Sequence, residues 1–218
     1  MIRAWHYIDG ITDSVDGVQP YQAFNNARWD IYKGLLRGRE AVKFGNGCIR
    51  LDEDGHPIPE NVWLPPAATG IGTSGGARFV FGCTILVPAD PAKTTLRFLA
   101  NKKQVSAHSY PPDQLVGGVR PPQFSRGIDE ELEAGANSET FVSGTASITK
   151  AISRYTDPRE AVRQTLLTIH NMGIVLLAAK GQPPALGAVL DECTADNGLH
   201  KTPVRLPKNK GNSKKKIS

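Results

Sequence analysis

An α+β protein, with mixed sheets packed by helices, is what this sequence predicts. Three observations carry the reading. The chain has 218 residues, 39% of them apolar, enough to bury a core. Short apolar runs of strand character alternate with two segments of helical spacing that carry start signals. With 22 Gly and 16 Pro, the chain is cut into many short elements rather than a few long ones.

In chain order, Ile2 to Ile8 reads as a strand with Trp5 and Tyr7 on one face. Gly10 to Pro20 is a polar, turn-rich loop. Pro20 suits the first position of a helix over Tyr21 to Arg37, with Phe24, Ala27, Ile31 and Leu35 on one stripe and Gly38 as the stop. Residues 39–76 read as strand fragments and loops. Arg78–Val87 is a near-continuous apolar strand expected to be buried on both faces. Thr94–Leu99 is a strand. Residues 101–127 are rich in Pro and Gly and predict a crossing with little regular structure. Glu130–Asn137 reads as an acidic turn, and Thr140–Ile148 as a strand with a partner near Ile128. A helix is expected from Asp157 to Met172: Asp157 caps it, Pro158 presets the first turn and Glu160 sits three after the cap. Its apolar face would be Val162, Leu166, Ile169 and Met172, packed on the strand at 141–147. Ile174–Ala179 fits a strand or a helix extension, and Ala185–Glu192 a short helix.

Composition narrows the function classes. The net charge of +5 is misleading, because residues 201–218 hold seven Lys and Arg and no acid, which leaves −2 for residues 1–200. The basicity belongs to a tail whose Gly, Asn, Pro and Ser predict disorder. Such a tail attracts phosphate weakly, but no aromatic reader accompanies it. Cys48, Cys83 and Cys193 are widely spaced and predict reduced, mostly buried thiols. No Cys or His cluster has metal spacing, so neither a metal nor a cofactor is called for. The start carries no secretory signal and no apolar run reaches about 18 residues; a cytoplasmic location is expected.

The most informative stretch is Phe141-Val142-Ser143-Gly144-Thr145-Ala146-Ser147-Ile148, an apolar run broken by small residues. Gly within a strand lets a ligand or a neighbouring strand approach closely. No Gly-x-Ser-x-Gly context makes Ser143 a nucleophile. Upstream lie Gln104-Val105-Ser106-Ala107 with Tyr110-Pro111, then Arg120-Pro121-Pro122-Gln123-Phe124-Ser125-Arg126. These segments, with Arg3-Ala4-Trp5-His6-Tyr7-Ile8, Tyr21–Arg28, Pro66–Thr73 and Gln164–Ile169, resemble the chorismatases in order and spacing over about residues 1–175.

The resemblance implies RidA/YjgF-like (chorismate-mutase-like) sheets, truncated at both ends: residues 1–103 as part of the first domain, 104–127 as a substrate-gripping linker, 128–180 as the first half of an incomplete second domain, and 181–218 as an irregular tail. It implies hydrolysis of chorismate to pyruvate plus a hydroxybenzoate or a dihydroxycyclohexadiene carboxylate. Chorismate carries two carboxylates, and Arg forks pair with them bidentately. Tyr110, Arg120 and Arg126 are therefore the expected substrate-binding residues, and the expected partner is a small carboxylate rather than a membrane. Departures bear on turnover. Thr149-Lys150-Ala151 replaces the family's Gly-His, and Val116-Gly117-Gly118-Val119 replaces Tyr-Gly-Pro. The family's catalytic Glu, in a Val-Glu-Ile-Glu strand, has no counterpart, so no catalytic residue is named and slow or absent turnover is expected. The rival readings are a non-catalytic dicarboxylate binder and a RidA-like imine or enamine hydrolase.

Overall fold

The structure, a computed structural model, describes residues 1–14, 16–36, 47–74, 76, 79–107, 120–132, 137–146 and 161–182. Two mixed sheets and two helices make up the described fold. The first sheet has the order β3-β1-β4, with β1 (Arg3–Asp9) central, β3 (Ala67–Thr73) parallel to it and β4 (Phe79–Thr84) antiparallel. The second has the order β2-β5-β6-β7, from β2 (Ile49–Leu51), β5 (Thr95–Leu99), β6 (Gly127–Leu132) and β7 (Asn137–Val142). The predicted α+β class holds at this level. The partner expected near Ile128 is Ile128 itself, opposite Phe141. Glu130 to Leu132, read as part of a turn, belong to β6 instead. Thr140–Ile148 was too long a strand, since β7 ends at Val142.

The sheets meet along a seam. Ile2 and Ala67 of the first pack with Cys48, Leu96 and Ile128 of the second. Ser125 bonds back to β3: its N–H donates to the Pro66 carbonyl at 3.1 Å and its hydroxyl to the Pro65 carbonyl at 2.6 Å. The Ser-Gly kink crosses the same seam. Ser143 Oγ accepts the Ala68 N–H at 2.8 Å and donates to the Ser125 carbonyl. The Gly144 N–H reaches the Ala68 carbonyl at 3.0 Å and Thr69 Oγ1 at 2.9 Å. A Cβ on Gly144 would lie 2.8 Å from Thr69 Cγ2, so only glycine admits this crossing. The small residues thus serve a close strand approach.

Helix α1 (Pro20–Leu36) starts as expected at Pro20. Its predicted inner stripe holds at Phe24 and fails at Ala27 and Ile31. Ala27 and Ile31 face solvent, Ile31 at 63%, while Asn25 and Arg28 are buried. The cause is an aromatic anchor. Phe24 packs on His6 of β1, ring centres 4.6 Å apart, and on Phe79 of β4 at 5.7 Å. Arg28, one turn later, follows Phe24 inward.

Helix α2 (Ala161–Ala179) is longer than expected, and Ile174–Ala179 extends it. Its start signals at Asp157, Pro158 and Glu160 lie outside the described residues, as do Ala185–Glu192 and the basic tail. The buried face is Arg163, Leu167, His170, Asn171, Ile174 and Val175. Val162, Ile169, Met172 and Leu176 are exposed, at 40–55%, which overturns the predicted packing face. Docking is set by β6: Gly127 has no side chain, and a Cβ there would meet Val175 at 2.7 Å. By length and composition alone α2 could cross a membrane, a run the sequence reading missed, although a third of it is buried within the protein.

The β4 strand is the third correction. It was expected to be buried on both faces but forms an edge of its sheet, with Phe79, Val80 and Phe81 each about half exposed. Cys83 on the same strand is exposed, so of the two described thiols only Cys48 is buried. Uncharged edges of this kind are open to pairing and association.

Candidate functional site

A cavity of about 470 Å³ lies where the two ends of the 104–127 crossing come together. That volume is in the range of small-ligand pockets, roughly 300–1,000 Å³. Phe98 and Leu99 of β5, with Ile58, Leu64 and Phe124, form apolar walls. Gln104, Ser106, Ser125 and Arg126 add polar groups, and Asp52, Glu53 and Lys102 stand among the lining residues as well.

Arg126 is 6% exposed. Its Nη2 donates to the Val105 carbonyl at 2.9 Å, and its guanidinium lies 5.1 Å from the Phe124 ring centre. This one side chain ties the outgoing arm of the crossing to the returning arm. A buried guanidinium on an aromatic face is a planar cation held in a fixed direction, suited to a carboxylate.

Behind the cavity a network of buried amides fixes the walls. Asn101 Nδ2 donates at 3.3 Å to Gln104 Oε1 and to the Asn171 carbonyl on α2. Gln104 Nε2 and Asn171 Nδ2 both donate to the Ala146 carbonyl, at 3.3 and 3.0 Å. Exposures of 4%, 4% and 1% for Asn101, Gln104 and Asn171 mean that water cannot replace these bonds. The network joins β5, the crossing, the Ser-Gly-Thr kink and α2 at one point.

Of the lining carboxylates, Asp52 is not poised as an acid catalyst. Asp52 accepts the N–H groups of His56 and Asp54 at 2.8 and 2.9 Å. Those bonds, that of His56 first, hold its carboxyl below the usual range, so it stays ionised at neutral pH. Lys102 bridges to Asp54 at 2.7 Å, and this bond raises its pKa. Glu130 on β6 is the buried acid among the described residues; burial, then Glu139 opposite it, pushes its carboxyl up. It faces the Cys48 side of its sheet and is absent from the cavity lining.

Of the three expected substrate-binding residues, Arg126 is in the cavity wall. Arg120 lies against α1: its backbone N–H donates to Asn26 Oδ1 at 2.9 Å, Nη1 pairs with Asp30 at 3.2 Å and the guanidinium lies 5.7 Å from the Trp29 ring centre. It is not among the cavity's lining residues. Tyr110 lies outside the described residues. Sequence reading missed the amides Asn101 and Asn171, which carry no periodic signal, and the burial of Arg3, Arg28, Arg50 and Arg163. Among the described residues, groups of three or more metal-ligating side chains are absent.

No family model matches the chain, and a search of curated proteins finds no match. A search of solved structures matches the crystal structure of a chorismatase with TM-score 0.51 and 24% identity, over 84% of this chain and 46% of that protein. The chain therefore spans less than half that protein's length and shares its fold.

Proposed function

We propose that this chain binds chorismate or a closely related cyclic carboxylate in the cavity between the crossing's two arms, with Arg126 as the first carboxylate grip. The observation that carries the reading is that Arg126 is buried in the wall of a ligand-sized cavity, within a fold shared with a chorismatase. Phe98 and Phe124 would cover the faces of a flat ring, and Ser106 and Gln104 would meet its polar edge. Arg120 and Tyr110 belong to the proposal as groups that the connecting segment brings to the ligand. For Arg120 this means exchanging its exposed pair with Asp30, worth about 0–1 kcal/mol, for a ligand carboxylate.

Hydrolysis of the enol ether would begin with a proton delivered to the methylene carbon. Water then adds to the resulting cation, and the hemiketal collapses to pyruvate and the ring alcohol. A positioned acid contributes about 10²–10⁴-fold to such a step. Asp52 is held ionised and does not fill that role, so binding is expected to outlast turnover. A calorimetric titration with chorismate tests the reading. A charge-assisted bond is worth about 1.5–3 kcal/mol, so Arg126→Met should weaken binding about 10- to 100-fold. Unchanged affinity in that variant would refute the assignment.

One observation favours a second reading, RidA-like hydrolysis of an imine or enamine. The cavity holds a single guanidinium among its lining residues, as a monocarboxylate substrate requires. Release of ammonia from the imine of a 2-oxo acid, lost in Arg126→Met and not accompanied by chorismate binding, would select that reading.

A further inference from the structure

Five arginines are buried among the described residues against one buried carboxylate, Glu130. Four of the five are placed elsewhere: Arg126 is in the cavity wall, Arg3 donates to Thr69 Oγ1, Arg50 donates to the Pro59 and Val62 carbonyls, and Arg163 is on the buried face of α2. Arg28 is different. It is 6% exposed, its Nη2 donates to Asn25 Oδ1 at 2.8 Å, and its Nε has no partner among the described residues. The groups that offset its burial are the phenols of Tyr21 and Tyr32 rather than carboxylates. Asp30, two residues on, is engaged by Arg120 on the helix's exposed side. Among the described residues no carboxylate faces this guanidinium, a buried charge of that kind is costly, and burial lowers its pKa.

Its surroundings suit an organic anion. The guanidinium lies 4.8 Å from the Phe24 ring centre. Phe24 packs on His6 and Phe79, and His6 on Phe81 at 5.4 Å. Phe79 and Phe81 are each about half exposed, so a row of rings runs from the buried cation to the surface. His6 brings no competing negative charge, and its pKa is pushed down by burial first, then by Arg28 and Arg3.

We propose that Arg28 and Asn25, between α1 and the β3-β1-β4 sheet, form a second anion site that takes the carboxylate of a small organic acid, with its apolar body against Phe79 and Phe81. The site is independent of Arg126 and of the reading proposed for the cavity.

Thermal unfolding of the full chain in sodium benzoate, at constant ionic strength and pH 7.5, tests it. Above the dissociation constant the wild-type midpoint should rise by about 3–6 °C per tenfold in benzoate. Arg28→Met should abolish that rise while Arg126→Met keeps it. Without benzoate, Arg28→Met should melt about 2–6 °C above wild type, because an uncompensated buried charge has been replaced by a chain of similar volume. If that variant does not fold, Arg28→Lys keeps the charge but loses the fork, and should displace the rise to about tenfold higher benzoate. A wild type that shows no benzoate-dependent rise overturns the proposal. So does a rise that survives Arg28→Met or disappears in Arg126→Met. An Arg28→Met that melts below wild type would mean that the guanidinium is already compensated within the chain, and would overturn it equally.

Discussion

Both helices turn a polar row inward, but the two rows are used differently. On α2, Asn171 donates to the Ala146 carbonyl and accepts from Asn101, so the amide is part of the scaffold. On α1, Arg28 has a single amide acceptor and an Nε without a partner among the described residues. A buried polar group whose bonds are all made within the protein holds the fold. One with bonding capacity left over is a place to look for a ligand. The same contrast separates the outer faces: α2 presents Val162, Ile169, Met172 and Leu176 to solvent, whereas α1 presents Ile31 and the exposed Arg120–Asp30 pair.

The largest effect that sharpens this comparison is at Asn171. Asn171→Leu removes two bonds of the network, the one accepted from Asn101 Nδ2 and the one donated to the Ala146 carbonyl, in a site that water does not reach. Each buried bond lost costs about 0.5–1.5 kcal/mol, so a loss of up to about 3 kcal/mol in urea unfolding is expected. A loss under 1 kcal/mol would show that the amide network is not what holds α2, and the contrast with Arg28 would collapse.

Next in size is the pH response of His6, beneath α1. Burial first, then Arg28, depress its pKa from 6.5 to about 4, against a weak opposing bond to the Thr69 carbonyl. Between pH 6.5 and 4 the unfolded chain binds a proton on His6 that the folded chain does not. Stability is therefore complete above pH 6.5 and falls with pH through that window, by about 2–3 kcal/mol from this residue. The difference between wild type and His6→Gln, followed by urea unfolding at pH 7.5 and 4, isolates the contribution from carboxylates titrating in the same range. A difference that does not change with pH would place His6 away from the arginines.

The smallest effect is on the outer face of α2. Ile169→Glu should change stability by no more than about 0.5 kcal/mol, as expected of an exposed position. A loss of several kcal/mol would mean that something covers this face, and that α2, not α1, has the unfilled partner site.

Much of the framework was legible in the sequence, for physical reasons that differ by element. Pro20 fixes where α1 starts because its missing N–H costs nothing there. The Ser143-Gly144 kink was readable as a close approach because glycine in a strand has few other uses. A partner for the strand at Thr140–Ile148 was expected near Ile128, and β6 supplies it, with Ile128 opposite Phe141. Which way each helix faces was not legible. Apolar spacing identifies a helix, but Phe24 on His6 and Val175 over Gly127 set the rotation, and both are tertiary contacts. The strand at Phe79–Thr84 reads as buried because composition does not reveal that it is the edge of the described sheet. At the site, Arg126 was named from its segment. Asn101 and Asn171 were invisible because a buried amide is recognised only by the partners that the fold brings to it.

The central claim is that the cavity between the two arms of the crossing is the carboxylate site. Amide hydrogen exchange with and without chorismate tests it most directly, because the protected segments name the site without a variant. The account predicts slowed exchange at Gln104–Ala107 and Phe124–Arg126, with the outer face of α2 unchanged. Protection absent from both segments at saturating chorismate would contradict it.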